Sequence, residues 1–228
     1  MYKKFSIIIP CFNEARNIPT LLSQLQTVSD KNLYEFILVD NGSTDSTSIL
    51  LSKIDHPNIC TVTLSKNAGY GGGIKAGIEK ARGDYIGWIH ADLQYSLVDS
   101  LKIMQNFTPD VKFLKGKRRG RNLFQLFISA NMSVFESILF RTPLYDINAQ
   151  PTIFHKDLIN FMKNIPNDFS IDLYTYVIAR QSEFKISRFQ VNFVKRQFGQ
   201  SSWNSGLGSI LRMSARTIRY SLNLRRQL

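Results

Sequence analysis

Apolar residues along the first half of the chain follow two alternating spacings, and these spacings predict alternating strands and helices. Runs of consecutive apolar, often β-branched residues are typical of strands buried on both faces. Such a run occurs at residues 5–9, and further strands are predicted at 36–39, 60–64 and 85–90. Between the first two runs, apolar residues recur at helical spacing, with Asn13 as the expected N-cap. This order predicts right-handed βαβ units and a mostly parallel sheet.

The second half is less regular and contains two apolar stretches with helical periodicity. Six of the ten residues at 112–121 are basic, which predicts either a solvated run or a phosphate contact. A broad apolar stripe over 123–140 indicates a helix whose other face holds Gln125, Ser129, Ser133 and Glu136. This helix could belong to the core or face a membrane. Further patterns predict a helix at 172–181, a strand at 185–194, a loop at 195–204 and an amphipathic basic helix in the tail. We therefore expect one α/β domain at 1–205 and a separate helix at 206–228.

Composition and charge narrow the class of protein. The chain has 228 residues, of which 43% are hydrophobic, so it can build a core and is not a disordered or fibrous protein. Its net charge of +12 indicates acidic partners. The two cysteines, Cys11 and Cys60, support neither a disulfide framework nor a zinc site, and Cys11 is expected to be a small buried residue. No uninterrupted run of 18 apolar residues occurs, so we expect no transmembrane helix and only peripheral membrane contact.

Polar residues follow each of the four predicted strands of the first half. Asn13 and Glu14 follow the first strand, and residues 40–45, 67–73 and 90–94 follow the others. Ligands of open parallel sheets bind outside the carboxyl ends of the strands, so we expect these residues to line one crevice. Asp40 can accept hydrogen bonds from a base or a ribose. Asp92 and Gln94 could hold a divalent cation that bridges a diphosphate.

The ordered segments at these positions carry a family resemblance. They are IIIPCFNEARNI, ILVDNGSTDST, KNAGYGGGIKAGIEKARGDYIGWIHADLQ, GKR, YDINAQP and KRQFGQSSW. From Phe5 to about Trp203 the chain resembles a family 2 glycosyltransferase of GT-A fold, most like the dolichol-phosphate mannosyltransferases and polyprenyl-phosphate glycosyltransferases. The resemblance implies an α/β fold with a mostly parallel central sheet flanked by helices. It also implies a nucleotide-diphospho-sugar donor, Mg²⁺ or Mn²⁺, inversion at the anomeric carbon and a lipid phosphate acceptor.

Carried over by position, the resemblance assigns roles to individual residues. Asp92, Gln94 and His90 would hold the metal and the donor diphosphate. Asp92, with Arg118 and Arg196 as phosphate ligands, would form the catalytic set, and guanidinium forks suit phosphate oxygens. A phosphate acceptor is already ionised near neutral pH, so no catalytic base is required. The expected nucleotide-binding residues are Pro10, Phe12, Glu14, Asp40, Asn41, Gly42, Ser43, Asn67, Gly71, Lys75 and Ala91.

The chain departs from the family pattern at two positions. The family's metal motif is Asp-x-Asp, and His90 stands at its first position. A neutral imidazole can ligate Mn²⁺ but suits Mg²⁺ poorly, or it could hydrogen-bond the ribose. Gln125, four residues before Ser129, stands where a basic acceptor-phosphate residue is expected in the lipid-phosphate enzymes.

Other functions remain open at this point. An acceptor with a saccharide hydroxyl would need a general base, for which Asp146 and Asp172 are candidates. A non-catalytic homologue would also fit the departure at His90. A nucleic-acid binder is disfavoured, because the chain has no aromatic-rich recognition motif and no zinc-finger spacing. For the leading hypothesis we expect a cytoplasmic protein at the inner face of an anionic membrane, bound through the basic tail helix, with a possible integral membrane partner.

Overall fold

The computed structural model describes residues 4–28, 33–95, 97, 100–101, 108, 110–121, 123–192 and 207–228. The strands are β1 (Phe5–Cys11), β2 (Tyr34–Asp40), β3 (Ile59–Thr63), β4 (Tyr85–Trp88), β5 (Phe113–Arg119), β6 (Thr152–His155) and β7 (Ile186–Asn192). The helices are α1 (Ile18–Gln26), α2 (Thr47–Ser52), α3 (Tyr70–Ile78), α4 (Leu123–Phe140), α5 (Ser170–Gln181) and α6 (Leu207–Gln227), with a 3₁₀ helix at Lys156–Phe161. The expected boundary at 205/206 lies outside the described residues.

The seven strands form one sheet in the order β3-β2-β1-β4-β6-β5-β7. Strands β1 to β4 are parallel to one another, and β5 is parallel to β7. Strand β6 runs antiparallel to both β4 and β5 and joins the two halves of the sheet. The prediction of an α/β fold with a mostly parallel central sheet flanked by helices is confirmed.

Two apolar layers cover the two faces of the sheet. On β1, Ile8 packs into one layer, whereas Ile7 and Ile9 pack into the other. Helices α3 and α5 contribute to the first layer and α1 to the second. Because both faces of β1 are buried, its sequence is a continuous apolar run instead of an alternating pattern.

Three local predictions differ from the structure. Residues 113–119, inside the basic run, form β5, and Lys115 is fully buried there, so this run is not simply solvated. Strand β6 was not predicted at all. Asn13 does not cap α1, whose N-cap is Asn17. Asn13 instead has a φ of 57° and accepts a hydrogen bond from the backbone N–H of Thr44.

Helix α4 has the reverse polarity of an ordinary surface helix. Its inward face carries Ser133 and Glu136, both buried, and burial raises the pKa of Glu136 to about 7. Its outward face is apolar: Leu123 is 85% exposed and Ile138 is 73% exposed. Phe127 and Val134 complete this face. Of the two alternatives left open by the sequence, the core helix is therefore wrong.

By length and composition α4 could cross a membrane, and only 17% of it is buried. The expected absence of a transmembrane helix stays a prediction, since α4 has only the length and composition of a spanning helix, and polar residues such as Gln125 and Asn131 interrupt its apolar run. Helix α6 packs against α4, where the hydroxyl of Ser221 donates to Oε1 of Glu136 at 2.6 Å. Arginines 212, 216 and 219 are exposed on α6.

Candidate active site

The loops that follow β1 and β2 are held together by hydrogen bonds. The backbone N–H of Asn13 donates to the hydroxyl of Ser43 at 3.1 Å. At the end of β2, Asp40 is buried and its Oδ1 accepts the N–H of Ser43 at 3.0 Å. Phe12 is exposed beside these loops, and Pro10 and Glu14 are half-buried. These six residues therefore lie together at one edge of the sheet, as the parallel topology requires.

The loop after β2 is also fixed to the loop before α3. The side-chain amide of Asn41 donates to the carbonyl of Gly69 at 2.9 Å, and its oxygen accepts the N–H of Ala68 at 3.0 Å. Asn67 accepts the N–H of Gly69 at 2.8 Å. Gly42 has a φ of 69°, where other residues are strained. These contacts account for Asn41, Gly42 and Asn67 without a ligand, and their predicted nucleotide contacts stay predictions.

The glycines at the start of α3 pack against the backbone of residues 166–168. A side chain at Gly71 would collide with the carbonyl oxygen of Pro166. The N–H of Gly72 donates to the carbonyl of Asn167 at 3.1 Å. Close backbone approach thus explains the glycines, and a nucleotide contact of Gly71 stays a prediction. Lys75 lies exposed in the second turn of α3, where its predicted role also stays a prediction.

Residues 90–94 leave β4 at the centre of the same edge. Ala91 is buried, Asp92 is 4% exposed, and Oδ1 of Asp92 accepts the N–H of Gln94 at 3.1 Å. Within the described part of the chain, no three His, Cys, Asp or Glu side chains converge to form a metal site. Mg²⁺ is commonly held by one or two carboxylates together with substrate phosphates and water. The buried carboxylate of Asp92 therefore fits an ion that is shared with a diphosphate.

His90 lies within a column of four stacked rings. Tyr70, the first residue of α3, stacks on Phe169 with ring centroids 4.5 Å apart and on His90 at 5.0 Å. Tyr95 also stacks on His90, with ring centroids 6.4 Å apart. The hydroxyl of Tyr70 is 3.5 Å from Nε2 of His90. This stacking fixes the plane of the imidazole, and the sequence analysis did not foresee it.

Arg118 lies at the end of β5, in a cluster of guanidinium groups. Its Nε and Nη2 donate to Oδ1 of Asp146 at 2.8 and 2.5 Å, and its backbone N–H donates to Oδ2. Arg121 lies 3.3 Å from the same carboxylate and donates to the hydroxyl of Ser129 at 2.7 Å. Although burial acts in the opposite direction, Arg118 keeps the pKa of Asp146 below its usual range.

The cluster carries more positive than negative charge. Burial, followed by the nearby charge of Arg118, lowers the pKa of Arg121. The charge of Arg188 on β7 lowers this pKa further. Arg188 donates to the carbonyl of Gly116 at 3.0 Å. The Nε atoms of Arg121 and Arg188 are buried and have no hydrogen-bond partner among the residues that the structure describes. Two guanidinium groups, those of Arg118 and Arg121, therefore contact the carboxylate of Asp146, and Arg188 is near enough to Arg121 to lower its pKa.

Behind the crevice lies a buried polar network centred on Asp172, in the first turn of α5. Its Oδ1 accepts hydrogen bonds from Lys115 at 3.1 Å, Trp88 at 3.2 Å, Thr152 at 3.0 Å and Gln150 at 3.1 Å. Burial lowers the pKa of Lys115, and Asp172 opposes this effect. The sequence analysis missed this network. A lysine within the apolar FLKG segment is the signal that could have indicated it.

Two remaining predictions concern single residues. Arg196 lies outside the described residues, so its role as a phosphate ligand stays a prediction. Cys11 is buried, as expected, and burial raises the pKa of its thiol. A thiol that resists ionisation is a poor nucleophile, which agrees with a packing role.

Comparison with solved structures shows the same fold elsewhere. Glucosyl-3-phosphoglycerate synthase from Mycobacterium tuberculosis, in complex with Mn²⁺, UDP and glucosyl-3-phosphoglycerate, superposes with a TM-score of 0.72 at 18% identity. The match covers 98% of this chain and 80% of that one. A mannosyltransferase from Pyrobaculum calidifontis, in complex with GDP-mannose and Mn²⁺, gives 0.65 at 19% identity, covering 87% and 59%. At these identities the likeness establishes the fold.

Sequence comparison identifies relatives and a family. Undecaprenyl-phosphate 4-deoxy-4-formamido-L-arabinose transferase from Pseudomonas fluorescens (strain SBW25) is 42% identical over 95 residues, or 39% of this chain. The enzyme of the same name from Serratia proteamaculans (strain 568) is 39% identical over 98 residues, or 40% of the chain. These matches span 28% and 30% of the relatives' own lengths. The family model described as glycosyl transferase family 2 matches residues 6–171. Since that is well over half of its length, the chain belongs to glycosyl transferase family 2.

Proposed function

We propose that this chain is an inverting glycosyltransferase that moves a sugar from a nucleotide-diphospho-sugar to a polyprenyl phosphate at the cytoplasmic face of a membrane. The observation that carries the acceptor assignment is the guanidinium cluster of Arg118, Arg121 and Arg188, which has excess positive charge beside the donor crevice. The donor assignment rests on the family and on the crevice residues.

The donor would lie along the carboxyl ends of β1 to β4. Asp40 and the loop after it provide a buried carboxylate and ordered backbone for a nucleoside, and Phe12 offers an exposed ring nearby. Solved structures of the same fold were obtained with UDP or GDP-mannose and Mn²⁺. Asp92, with Gln94 beside it, would hold Mg²⁺ or Mn²⁺, and the ion would neutralise charge on the leaving diphosphate.

The state of the carboxylates near the crevice favours a phosphate acceptor. A hydroxyl acceptor needs a general base, and Asp146 and Asp172 are the candidates. Asp146 is held by two arginines, which keep its pKa low, and Asp172 is enclosed by four donors in the interior. Neither is placed to take a proton from a substrate. A phosphate acceptor needs no base and only has to be aligned with the anomeric carbon.

Arg121 supports the phosphate assignment in a second way. At position 125, where the family resemblance predicts a basic residue, this chain has Gln125, and that side chain is exposed. Arg121 instead reaches Ser129 and carries a buried, unpartnered Nε. We propose that Arg121 replaces the missing basic residue and, together with Arg118, binds the acceptor phosphate while Asp146 holds both in place.

The function is tested by following the product. The full chain is incubated with a labelled nucleotide sugar, Mn²⁺ and vesicles that contain undecaprenyl phosphate. Label that becomes extractable into organic solvent supports the lipid acceptor. Label that appears only in water-soluble saccharide would support a hydroxyl acceptor, and no transfer from any common nucleotide sugar would contradict the enzyme itself.

Arg121→Gln should raise the KM for undecaprenyl phosphate by about tenfold or more and leave the affinity for the nucleotide unchanged, because a charged hydrogen bond to phosphate is lost only at the acceptor. Arg119→Gln is the matched control, since Arg119 is an exposed neighbour of the same charge. Steady-state transfer assays measure KM, and calorimetry measures nucleotide affinity. Equal effects of the two substitutions would contradict the assignment.

We propose that the outward face of α4 contacts the membrane. Four apolar side chains on this face are exposed to solvent, while Ser133 and Glu136 point inward. Basic residues border the face: Arg141 follows α4, and α6 packs alongside with its exposed arginines. An apolar strip bordered by positive charge suits an anionic bilayer surface. An integral membrane partner would meet the same face.

Ile138→Glu should weaken binding to phosphatidylglycerol vesicles by roughly tenfold, because an apolar side chain that the bilayer would bury is replaced by a charge of the same sign as the lipid. Ile49→Glu on α2 is the control, since Ile49 is also an exposed apolar residue, at 58%. Flotation with anionic and neutral vesicles measures the binding. Wild-type binding by Ile138→Glu would exclude α4 as the contact.

A further inference from the structure

Arg188, on β7, lies beside the guanidinium cluster and has no carboxylate partner among the described residues. In the parallel register of β5 and β7 it stands next to Lys115. Its Nη2 donates to the carbonyl of Gly116 at 3.0 Å, just before Arg118 on β5. That carbonyl is neutral, and Nε of Arg188 is buried without a partner in the part of the chain that the structure describes. The described residues therefore leave the charge of Arg188 unpaired.

This unpaired charge adds to an excess of positive charge in the cluster. Asp146 is shared by Arg118 and Arg121, and the charges of the buried pair behind the crevice cancel. Burial is the first cause that lowers the pKa of Arg121, and the charge of Arg188 lowers it further. Among the described residues, the three guanidinium groups and the one carboxylate of the cluster therefore leave two positive charges without a counter-charge.

Two uncompensated charges in a partly buried cluster indicate a ligand that brings two negative charges. Placing like charges together away from water costs stability, and proteins accept such costs mainly at functional sites. A phosphate monoester has a second pKa of about 6, so it is close to doubly charged at neutral pH. A phosphodiester has no second ionisation and carries a single negative charge. The charge balance of the cluster therefore matches the monoester.

The difference between the two kinds of phosphate matters at a membrane, where phospholipids such as phosphatidylglycerol present phosphodiesters. We propose that Arg188 is a phosphate-binding residue that makes the acceptor site select a terminal phosphate monoester over these phosphodiesters. Without Arg188 the cluster would retain one excess charge, which either kind of phosphate can neutralise. With Arg188, a bound phosphodiester leaves one guanidinium charge unpaired, and this cost disfavours it. The inference rests on the proposed function, because it concerns the same acceptor site.

Two ligands that differ by one charge test this selection. Farnesyl phosphate and its methyl diester are titrated calorimetrically into the full chain at about pH 7.5, where the monoester is doubly charged. The wild type should bind the monoester at least about tenfold more tightly, because it gains a charge-assisted hydrogen bond. Arg188→Gln should reduce this preference to about twofold and leave the affinity for the diester nearly unchanged, whereas Arg188→Lys should keep most of the preference.

Arg180→Gln is the matched control for Arg188→Gln. Arg180 is also half-buried and its Nε likewise has no partner among the described residues, but it lies on α5 and its guanidinium is 5.7 Å from the ring of Tyr176. Its substitution should leave the preference for the monoester unchanged. Denaturant unfolding should show that Arg188→Gln is at least as stable as the wild type, because a repulsive charge is removed.

The pH profile of binding separates recognition of the second charge from a structural role of Arg188. From about pH 5 to about pH 7.5 the wild type should bind farnesyl phosphate about tenfold more tightly, as the ligand loses its second proton. The profile should be flat for the diester, and nearly flat for farnesyl phosphate with Arg188→Gln. Titration of protein groups near the cluster, such as Asp146 and Lys115, would change the profiles of both ligands alike.

The possible outcomes distinguish this inference from the proposed function. Equal affinity of the wild type for the two ligands would overturn the selection and leave the lipid phosphate acceptor intact. An unchanged preference in Arg188→Gln, an equal loss in Arg180→Gln, or a less stable Arg188→Gln would overturn the role of Arg188. If the wild type binds neither ligand, the phosphate acceptor of the proposed function is contradicted, and the selection by Arg188 is contradicted with it.

Discussion

Asp92→Asn should reduce sugar transfer by about 10²- to 10³-fold while the protein remains folded. Asparagine keeps the shape of the side chain and an oxygen that can accept the N–H of Gln94, so the local turn is preserved. What is lost is the negative charge that would hold the divalent ion against the leaving diphosphate. Transfer of labelled sugar in the presence of Mn²⁺ measures the effect, and circular dichroism verifies the fold.

Asp84→Asn provides the matched control for this result. Asp84 lies just before β4, at the opposite end of the same strand, and pairs with Lys156 at 2.8 Å on the surface. Its substitution should leave transfer within about twofold of the wild type, since exposed pairs contribute little. Retention of more than about a tenth of wild-type turnover by Asp92→Asn would contradict the assignment, as would an equal loss in both variants.

Asp172→Asn should lower the free energy of unfolding by about 3 to 5 kcal/mol, because Lys115 is left charged in the interior without its partner. Trp88, Thr152 and Gln150 also donate to this carboxylate, so their hydrogen bonds are disturbed together. Replacing both charges, in Lys115→Met with Asp172→Asn, should recover at least half of the loss. Denaturant unfolding measures both effects.

Asp168→Asn is the control on the same segment of chain. Asp168 pairs with exposed Arg216 and accepts the N–H of Ser170, which asparagine can also do. Its substitution should cost less than about 1 kcal/mol. If Asp172→Asn were no more destabilising than this control, the buried pair would not be a principal support of the fold.

The elements that were predicted best from the sequence are those whose residues are all in the same environment, either buried or exposed. Strands β1, β2 and β4 are buried on both faces, so they were recognisable from their apolar residues, and α4 was predicted with its correct ends at Leu123 and Phe140. The convergence of polar loops followed from topology alone, because parallel strands end at one edge. Asp40 and Asp92 lie there as expected.

Strand β5 and the polar contacts around Asp172 and Tyr70 were not predicted, for one physical reason. The run that contains β5 is dominated by charge, and Lys115 becomes compatible with a buried strand only because Asp172 lies opposite it. That pairing joins residues 57 positions apart. Tyr70 is likewise connected to Asp172 through a hydrogen bond from Gln150, which comes from a different part of the chain. Local patterns contain no information about such partners.

The polarity of α4 shows a different limit. Its periodicity was clear, but periodicity does not tell which face meets the protein. Ser133 and Glu136 point inward because Ser221 of α6 and the backbone around Asp146 offer them hydrogen bonds. The apolar face is left outside by the same contacts. Only the tertiary structure could decide between the two alternatives.

The glycines of α3 have a consequence for the order in which the molecule is completed during synthesis. Gly71 and Gly72 close on residues 166–168, which emerge from the ribosome roughly a hundred residues later. Strands β1 to β4 can therefore form early, but the wall that carries Phe169 arrives long afterwards. A nascent chain would show a parallel half-sheet with an unfinished crevice, and it would acquire nucleotide affinity only after residues 166–169 have been synthesised.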